Sequence, residues 1–268
     1  MPRTYDLAAV REILETDRPW AAYALGDLTP GFVEHSEWYW TGPRTPAVVL
    51  LYRREATPVL FSLGPVPEVQ AILRELPRLA SAYLSIPVPH IDLVAEQAPI
   101  LERMAMNRLQ LDPAAFAHEE VPSALRLGAE DLPALHALFA DGEANHEVPD
   151  FFAPWMVKQG VYYGVYEQGE LIAAAGTHLV AAQTGVAAVG NVYTRRDRRG
   201  RRLARHTTGA VTAALLALGI PTIVLNVNQK NAAALLVYEA LGFRQVCPFW
   251  EGRTGAWSGA PAPVQPGR

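Results

Sequence analysis

Cysteine and long apolar runs are nearly absent from this sequence of 268 residues, and each absence narrows the class of protein. Cys247 is the only cysteine, so the chain forms no internal disulfide and has no cysteine-based zinc site. No apolar run reaches the roughly 18 residues of a membrane-spanning helix, and the first residues lack the apolar core of a signal peptide. We therefore expect a cytoplasmic protein with no membrane partner and no metal.

A strong excess of charge is also absent. The net charge is -4 at pH 7 and the sequence pI is about 6.0, so the chain as a whole offers no cationic field to nucleic acid or anionic lipid. Hydrophobic residues make up 50% of the sequence, and the length is sufficient for two domains with full cores. These numbers predict an ordinary globular protein whose positive charge acts only locally.

That local charge lies in residues 190–219, where an apolar strand leads through an arginine and glycine turn into a helix. Amides at a helix N-terminus are unpaired and carry the positive end of the dipole, and Gly200 would let a pyrophosphate approach them closely. A nucleic-acid patch is the alternative, but Asp197 interrupts the run, the chain is acidic and no stacking aromatic lies close by. Cofactor phosphates are favoured. The arginines that would surround them are Arg198, Arg199, Arg201 and Arg202.

The second half of the chain predicts a mixed sheet with helices on its faces, an α/β fold of the α+β type. Three of its strands form an antiparallel meander joined by tight turns. The predicted strands are residues 123–128, 161–167, 171–180, 186–194, 222–227 and 244–249, and the predicted helices are 129–140, 150–160, 200–218 and 231–241.

The first half repeats this order more weakly. The predicted strands are residues 47–54, 58–64, 81–86 and 104–111, with helices at 66–76 and near 95–103. Its helix after the second strand is entered without a basic glycine turn, and Glu68 stands where an anion would bind. Prolines and charges at 112–123 mark a boundary. We predict domains at 1–115 and 123–252 and a disordered Gly- and Pro-rich tail at 253–268.

Two motifs in the second half resemble the GNAT superfamily of acyl-CoA-dependent N-acyltransferases. The family's R/Q-x-x-G-x-G/A signature is occupied by residues 199–204, which match at Arg199 and Ala204 but carry Arg202 at the usual glycine. The second mark is the strand, Asn, helix and Tyr-x-x-x-Gly-Phe segment of residues 226–243. It matches at Asn231, Ala233, Tyr238, Gly242 and Phe243. The paired layout resembles tandem members of the family, so two GNAT-like domains with a degenerate N-terminal one are expected.

The resemblance implies acetyl-CoA, or another short acyl-CoA, as co-substrate. In the family the pantetheine arm lies between two splayed strands, and a bulge at Gly190 would open that gap. The amide of Val192 or a neighbour would polarise the thioester carbonyl, and Tyr238 would protonate the departing thiolate. The residues expected to bind the cofactor are Asn191, Val192, Tyr193, Arg198, Arg199, Gly200, Arg201, Arg202, Leu203, Ala204, Asn226 and Asn231.

Several of these residues also have structural interpretations. Tyr238 fits packing against Phe243, and Asn231 fits a helix N-cap. Glu143, His146 and Glu147 are candidates for the acceptor site because they lie in the loop after the first helix, although solvated loop charge is the preferred explanation. His178 is a candidate base or a structural strand histidine.

The expected function is N-acetyl transfer to a primary amine of a small molecule or peptide by direct attack in a ternary complex. A non-catalytic module that senses acyl-CoA or binds a partner is the alternative. A nucleic-acid-binding role ranks third, and we expect no nucleic acid among the partners. The sequence leaves the acceptor, the acyl chain length and the choice between monomer and homodimer open.

Overall fold

The computed structural model of the protein describes residues 3–119, 123–143, 147, 149 and 151–258. The chain divides into two compact units, Met1–Asn107 with Cys247–Arg268, and Arg108–Val246. The predicted boundary lay later, between 115 and 123. The reason for the difference is that two long strands, β6 (Ile100–Leu111) and β12 (Phe243–Thr254), each begin in one unit and end in the other.

Unit 1 is a mixed sheet with the strand order β1-β2-β3-β4-β5-β12-β6. Its only parallel pair with a described register is β4 with β5, which carries α3 as the crossover. Its other strands are β1 (Arg3–Thr4), β2 (Ser36–Trp40), β3 (Val48–Tyr52), β4 (Val59–Leu63) and β5 (Tyr83–Pro87). Its helices are α1 (Leu7–Glu15), α2 (Ala22–Gly26), α3 (Val66–Glu75) and α4 (Ile91–Ala95).

Unit 2 has the strand order β7-β8-β9-β10-β11-β6-β12. As in unit 1, five strands that follow one another in the chain come first, and β6 and β12 come after them. Here β10 and β11 are the parallel pair and α7 is the crossover. The remaining strands are β7 (Ala124–Arg126), β8 (Tyr163–Glu167), β9 (Glu170–Ala181), β10 (Val186–Thr194) and β11 (Thr222–Asn228). The helices are α5 (Leu132–Ala140), α6 (Pro154–Gln159), α7 (Leu203–Ala217) and α8 (Ala232–Ala240).

The sheet of unit 2 has a separate apolar core on each face. Helix α7 contributes Val211 and Leu215 to one core, which also holds Val189 and Leu225 from the central strands. Helices α5 and α6 supply the other core, where Phe139 is a large buried ring. Because successive strand residues point to opposite faces, the strand residues next to Val189 and Leu225 face the α5 and α6 side.

Two predicted elements differ most from the structure. The helix expected near 95–103 is α4, which ends at Ala95, and strand β6 already begins at Ile100. Pro99 explains the error, since it has no amide hydrogen and disfavours helix in the residue before it. The predicted tail is also wrong for 253–258, because Thr254 ends β12 and Trp257 is buried in the core of unit 1. The rest of that prediction, 259–268, lies outside the described residues.

Candidate active site

The parallel ladder between β10 and β11 ends before either strand does. Its register pairs Val186 with Thr222 and continues to Val189 with Leu225. Both strands then go on, β10 to Thr194 and β11 to Asn228, with no further pairing between them in this described stretch. Backbone amides and carbonyls that would have bonded across the ladder therefore border an opening, as the sequence predicted.

A bulge lies on β10 at the start of this opening. Against β9, Gly190 pairs with Gly176, but the next pair is Tyr193 with Ala174, so Asn191 and Val192 have no partner on that strand. Asn191 has a φ of 52°, the left-handed conformation that non-glycine residues seldom adopt. The bulge predicted from Gly190 is confirmed, and it turns the backbone of Asn191 and Val192 out of the regular ladder.

Gly190 itself is needed because of a close neighbour. A Cβ at this position would lie 2.3 Å from Nε2 of His178, which sits over the glycine from strand β9. Burial lowers the pKa of His178 to about 4, with the amide of Asn191 opposing the shift and the positive charge of Arg108 adding to it. The imidazole is thus neutral at physiological pH and a weak base. Between strands β6 and β11, Nε of the buried Arg108 donates to Oδ1 of Asn226 at 2.7 Å.

The turn that follows β10 leads into an uncapped helix. Gly200 and Arg202 have φ values of 79° and 60°, so the chain cannot be helical there, and α7 begins at Leu203 instead of the predicted 200. Arg202 is the N-cap and its side chain accepts no bond from the first turn. The first regular helical bond is from the amide of His206 to the carbonyl of Arg202 at 3.1 Å. The earlier amides of α7, including those of Leu203 and Ala204, are therefore available to an anion.

The arginines at this turn are neutralised by carboxylates from other segments. Arg199 Nη2 lies 2.6 Å from Glu147 Oε2, and Glu167 lies 2.8 Å from both Arg198 and Arg201. Hydrogen bonds from Arg201 and then Arg198 lower the pKa of Glu167 to about 2. Arg195 pairs with Asp197 and Glu170. Among the described residues, the side chain of Arg202 makes no ion pair, which leaves its charge available at the helix start.

Tyr238 lies on α8 in the same buried cluster as Val189 and Leu225, the last residues of the ladder. Its ring meets Phe243 edge-on with centroids 6.2 Å apart, so the predicted packing contact is confirmed. Burial raises the pKa of the phenol to about 12, and the hydroxyl has no hydrogen-bond partner within the described part of the chain. A protonated hydroxyl at this place is suited to donate a hydrogen bond to a ligand.

The other predicted residues lie in different places. Asn231 is confirmed as the N-cap of α8, since its Oδ1 accepts from the amide of Ala234 at 3.1 Å. Tyr193 turns its side chain away from the opening, because its hydroxyl donates to Asp141 Oδ2 at 2.9 Å and its ring packs in the α5 and α6 core. Glu143 is exposed at the end of the α5 segment. His146 lies outside the described residues.

Sequence reasoning missed the contacts that hold these groups in place. The sequence suggests Glu147 only for the acceptor site and does not single out Glu167, because both are far from the arginine turn along the chain and no local pattern links them to it. Tyr162 is fully buried and bonds to Asn191, which likewise requires the fold to be known. The one available signal was Gly176 inside an apolar strand, since a glycine there marks a close approach by another group.

Two kinds of feature are absent from the described residues. Within the described ranges, no group of three or more His, Cys, Asp and Glu side chains is placed to hold a metal ion. Every helix in the described part of the chain is too short or too polar to cross a membrane.

Comparison with known proteins gives a family match for part of the chain. Residues 130–243 match the family model described as the acetyltransferase (GNAT) family, so this part of the chain is a GNAT-family domain. No curated protein matches the chain.

Solved structures extend the likeness over both units. A protein of Drosophila superposes with a TM-score of 0.71 at 13% identity, covering 95% of this chain and 97% of its own. A protein from Novosphingobium aromaticivorans, described as an acetyltransferase of the GNAT family, gives 0.61 at 22% identity over 89% and 99%. A GCN5-related N-acetyltransferase from Kribbella flavida gives 0.60 at 21% over 88% and 94%. At these identities the likeness is one of fold.

Proposed function

We propose that the protein transfers an acetyl or other short acyl group from its coenzyme A thioester to a primary amine of a small molecule or peptide. The observation that carries the proposal is the early end of the ladder at Val189 and Leu225. It leaves a strand edge open to an extended ligand such as a pantetheine arm, which can bond to backbone as a strand would. The GNAT match over residues 130–243 supports acyl-CoA as the donor.

The phosphates of the donor fit the start of α7. Gly200 has no atom within 4 Å of the place where a Cβ would stand, so a pyrophosphate can approach the backbone there. The amides of the first turn and the charge of Arg202 would hold it. Arg198, Arg199 and Arg201 would then exchange some of their contacts with carboxylates for phosphate oxygens, which bear more charge.

The chemistry needs no nucleophile from the enzyme. With both substrates bound, the amine attacks the thioester carbonyl directly, and holding them together lowers the entropic barrier. The amide of Val192 in the bulge would stabilise the charge that develops on the carbonyl oxygen. The C–S bond then breaks, and the coenzyme A sulfur leaves with a hydrogen bond from Tyr238.

Among the described residues that border the opening, none is a strong base that could receive the acceptor's proton. His178 has a pKa of about 4, so it would take a proton only from a strong acid, such as the N-protonated amide that is left when the C–S bond breaks. The amine must therefore arrive neutral or lose its proton to water. Asn226 borders the same opening and is held by Arg108, so we assign it a part in orienting the donor.

We further propose that the two units are tandem copies of one fold and that only unit 2 binds the donor. The equal succession of strands in both sheets supports the first statement. The second rests on the entry to α3, which passes through Pro65 and places the acidic Glu68 in the first turn. A carboxylate there repels a phosphate instead of attracting it.

The deciding experiment is amine-dependent release of the coenzyme A thiol from acetyl-CoA, measured over a panel of primary amines. Tyr238→Phe should lower turnover by roughly 100-fold, the low end for general acid catalysis, because a thiolate is a fair leaving group. Affinity for acetyl-CoA and the melting temperature should stay near those of the wild type, since the hydroxyl has no partner to lose among the described residues. The deficit should shrink as pH rises toward the pKa of the thiol.

Tyr166→Phe is the matched control, because it also removes a tyrosine hydroxyl in unit 2, one that donates to Asp131 at 2.7 Å. Wild-type turnover in Tyr238→Phe would reduce Tyr238 to a packing residue. Tight binding of acetyl-CoA without thiol release for any amine would instead favour the non-catalytic sensing module.

A further inference from the structure

Tyr162 spans strand β9 in a way that only glycine permits. Its side chain is fully buried, and a Cβ at Gly176 would lie 2.1 Å from its Cε1 atom. The ring therefore crosses the strand at Gly176 and reaches the neighbouring strand β10. The contact is independent of the arginine turn and of Tyr238.

The hydroxyl of Tyr162 ends at the bulge. It accepts a hydrogen bond from Nδ2 of Asn191 at 2.7 Å and donates to the carbonyl oxygen of Thr177 at 3.2 Å. Nδ2 of Asn191 also lies 3.6 Å from Sδ of Met156 on helix α6. Burial raises the pKa of the Tyr162 phenol, so the group remains a neutral hydroxyl able to make both bonds. The amide of Asn191 is thus fixed from two directions.

These contacts of the Asn191 side chain hold its backbone in a strained conformation. A left-handed asparagine costs free energy, and such a conformation persists only where surrounding contacts determine it. Asn191 directly precedes Val192, and the bulge decides where the Val192 amide points. The side-chain bonds of Asn191 are therefore in a position to control the direction of the next peptide group.

We propose that Tyr162 is a positioning residue for acyl transfer: through its bond to Asn191 it holds the β10 bulge so that the Val192 amide meets the thioester carbonyl. The proposal rests on the function proposed above. It assigns Tyr162 no contact with substrate. Its consequence is that the protein distinguishes acetyl-CoA from coenzyme A by a hydrogen bond whose direction depends on Tyr162, a residue whose side chain crosses β9 to reach the bulge.

The test measures dissociation constants for acetyl-CoA and for coenzyme A, and kcat and KM for acetyl-CoA with an amine that supports turnover. Tyr162→Phe should lower kcat by about 10- to 100-fold, since loss of one well-placed donor costs up to about 1,000-fold and here the donor is only displaced. The preference for acetyl-CoA over coenzyme A should disappear, while affinity for coenzyme A changes less than about twofold.

Asn191→Gly provides the second variant, because glycine keeps the positive φ but lacks the anchored amide. It should show the same deficit as Tyr162→Phe, and the double variant should show no further loss, as expected for groups that act as one unit. Tyr166→Phe again serves as the control for loss of a tyrosine hydroxyl and should retain both kcat and the preference.

Three outcomes would overturn the proposal. The wild type does not prefer acetyl-CoA over coenzyme A, or Tyr162→Phe retains the preference and kcat, or Tyr166→Phe loses them to the same extent. Failure of the proposed function looks different, because the wild type would then release no thiol with any amine. In that event the ratio of the two dissociation constants still decides the role of Tyr162.

Discussion

Arg202 offers the sharpest test of the phosphate site proposed at the start of α7, because its backbone has the conformation of a glycine while its side chain carries a charge. Its φ and ψ are 60° and 15°, and it is the N-cap of a helix of 15 residues. For an L-residue with a side chain, this left-handed conformation costs about 1–2 kcal/mol. Where the GNAT signature usually has glycine, this chain therefore pays backbone strain to place a guanidinium at the helix start.

Two substitutions separate the strain from the charge. Arg202→Gly removes both, whereas Arg202→Ala removes the charge and keeps the strain. The glycine variant should therefore unfold with a free energy about 1 kcal/mol higher than the alanine variant, after the greater chain entropy of unfolded glycine is allowed for. In a thermal scan this corresponds to a difference of roughly 2–4 °C for a chain of this size.

Affinity for coenzyme A should respond to the charge alone. Calorimetry should show both variants weakened about three- to tenfold relative to the wild type and equal to each other, because the backbone is already in the glycine conformation and only a phosphate contact is lost. Tighter binding by Arg202→Gly would mean that the arginine crowds the site. Equal stability of the two variants would refute the positive φ.

Two further predictions concern Gly200 at the proposed phosphate site and His178 on strand β9. Gly200→Glu should abolish coenzyme A binding, from one site per chain to none. Gly42→Glu should bind normally, because Gly42 also has a positive φ (92°) and no atom within 4 Å of its Cβ position; residual saturable binding in Gly200→Glu would expose a second site in the chain. Because the folded pKa of His178 is about 4 against an ordinary 6.5, the unfolded chain binds more protons between these values, so stability should fall by about 2–3 kcal/mol from pH 7 to pH 4.5. In urea unfolding, His178→Gln should remove this part of the decrease in the free energy of unfolding. The part due to His90 should remain, since burial also lowers the pKa of that residue. An unchanged pH dependence in His178→Gln would contradict the desolvation of His178.

Elements bounded by strong local signals were predictable from the sequence. Strand β10 covers residues 186–194 as expected, since an apolar run stands between a glycine turn and the arginines. The start of α7 was placed three residues too early, because helical periodicity cannot register that Arg202 is left-handed. Arg202 differs from the glycine of the family signature in residue type. Only the observed backbone shows that it has the left-handed conformation that glycine adopts readily.

Features formed by distant segments were not predictable. The division of the chain depends on β6 and β12 pairing within both units, and Trp257 looked like tail sequence because its partners in the core lie far away in the chain. The anchors of the candidate site have the same origin. Glu167 reaches the arginine turn from β8, and Tyr162 reaches the bulge across Gly176, and neither contact leaves a periodic trace.

The two units share a succession of strands but differ at the end of the parallel ladder. In unit 1 the parallel ladder of β4 and β5 also ends early, at Phe61 with Ser85. There the next carbonyl, that of Ser62, accepts a hydrogen bond from Nε1 of Trp20 at 3.0 Å, and the hydroxyl of Ser62 bonds to Nδ1 of His90 at 2.8 Å. The indole of Trp20 also stacks on Phe61, so this backbone acceptor is satisfied from within the unit. Among the described residues of unit 2, no side chain donates to the carbonyl of Gly190, the residue that follows the last pair of its ladder. We therefore place the difference between the units in a few side chains at the ladder end, not in the arrangement of strands.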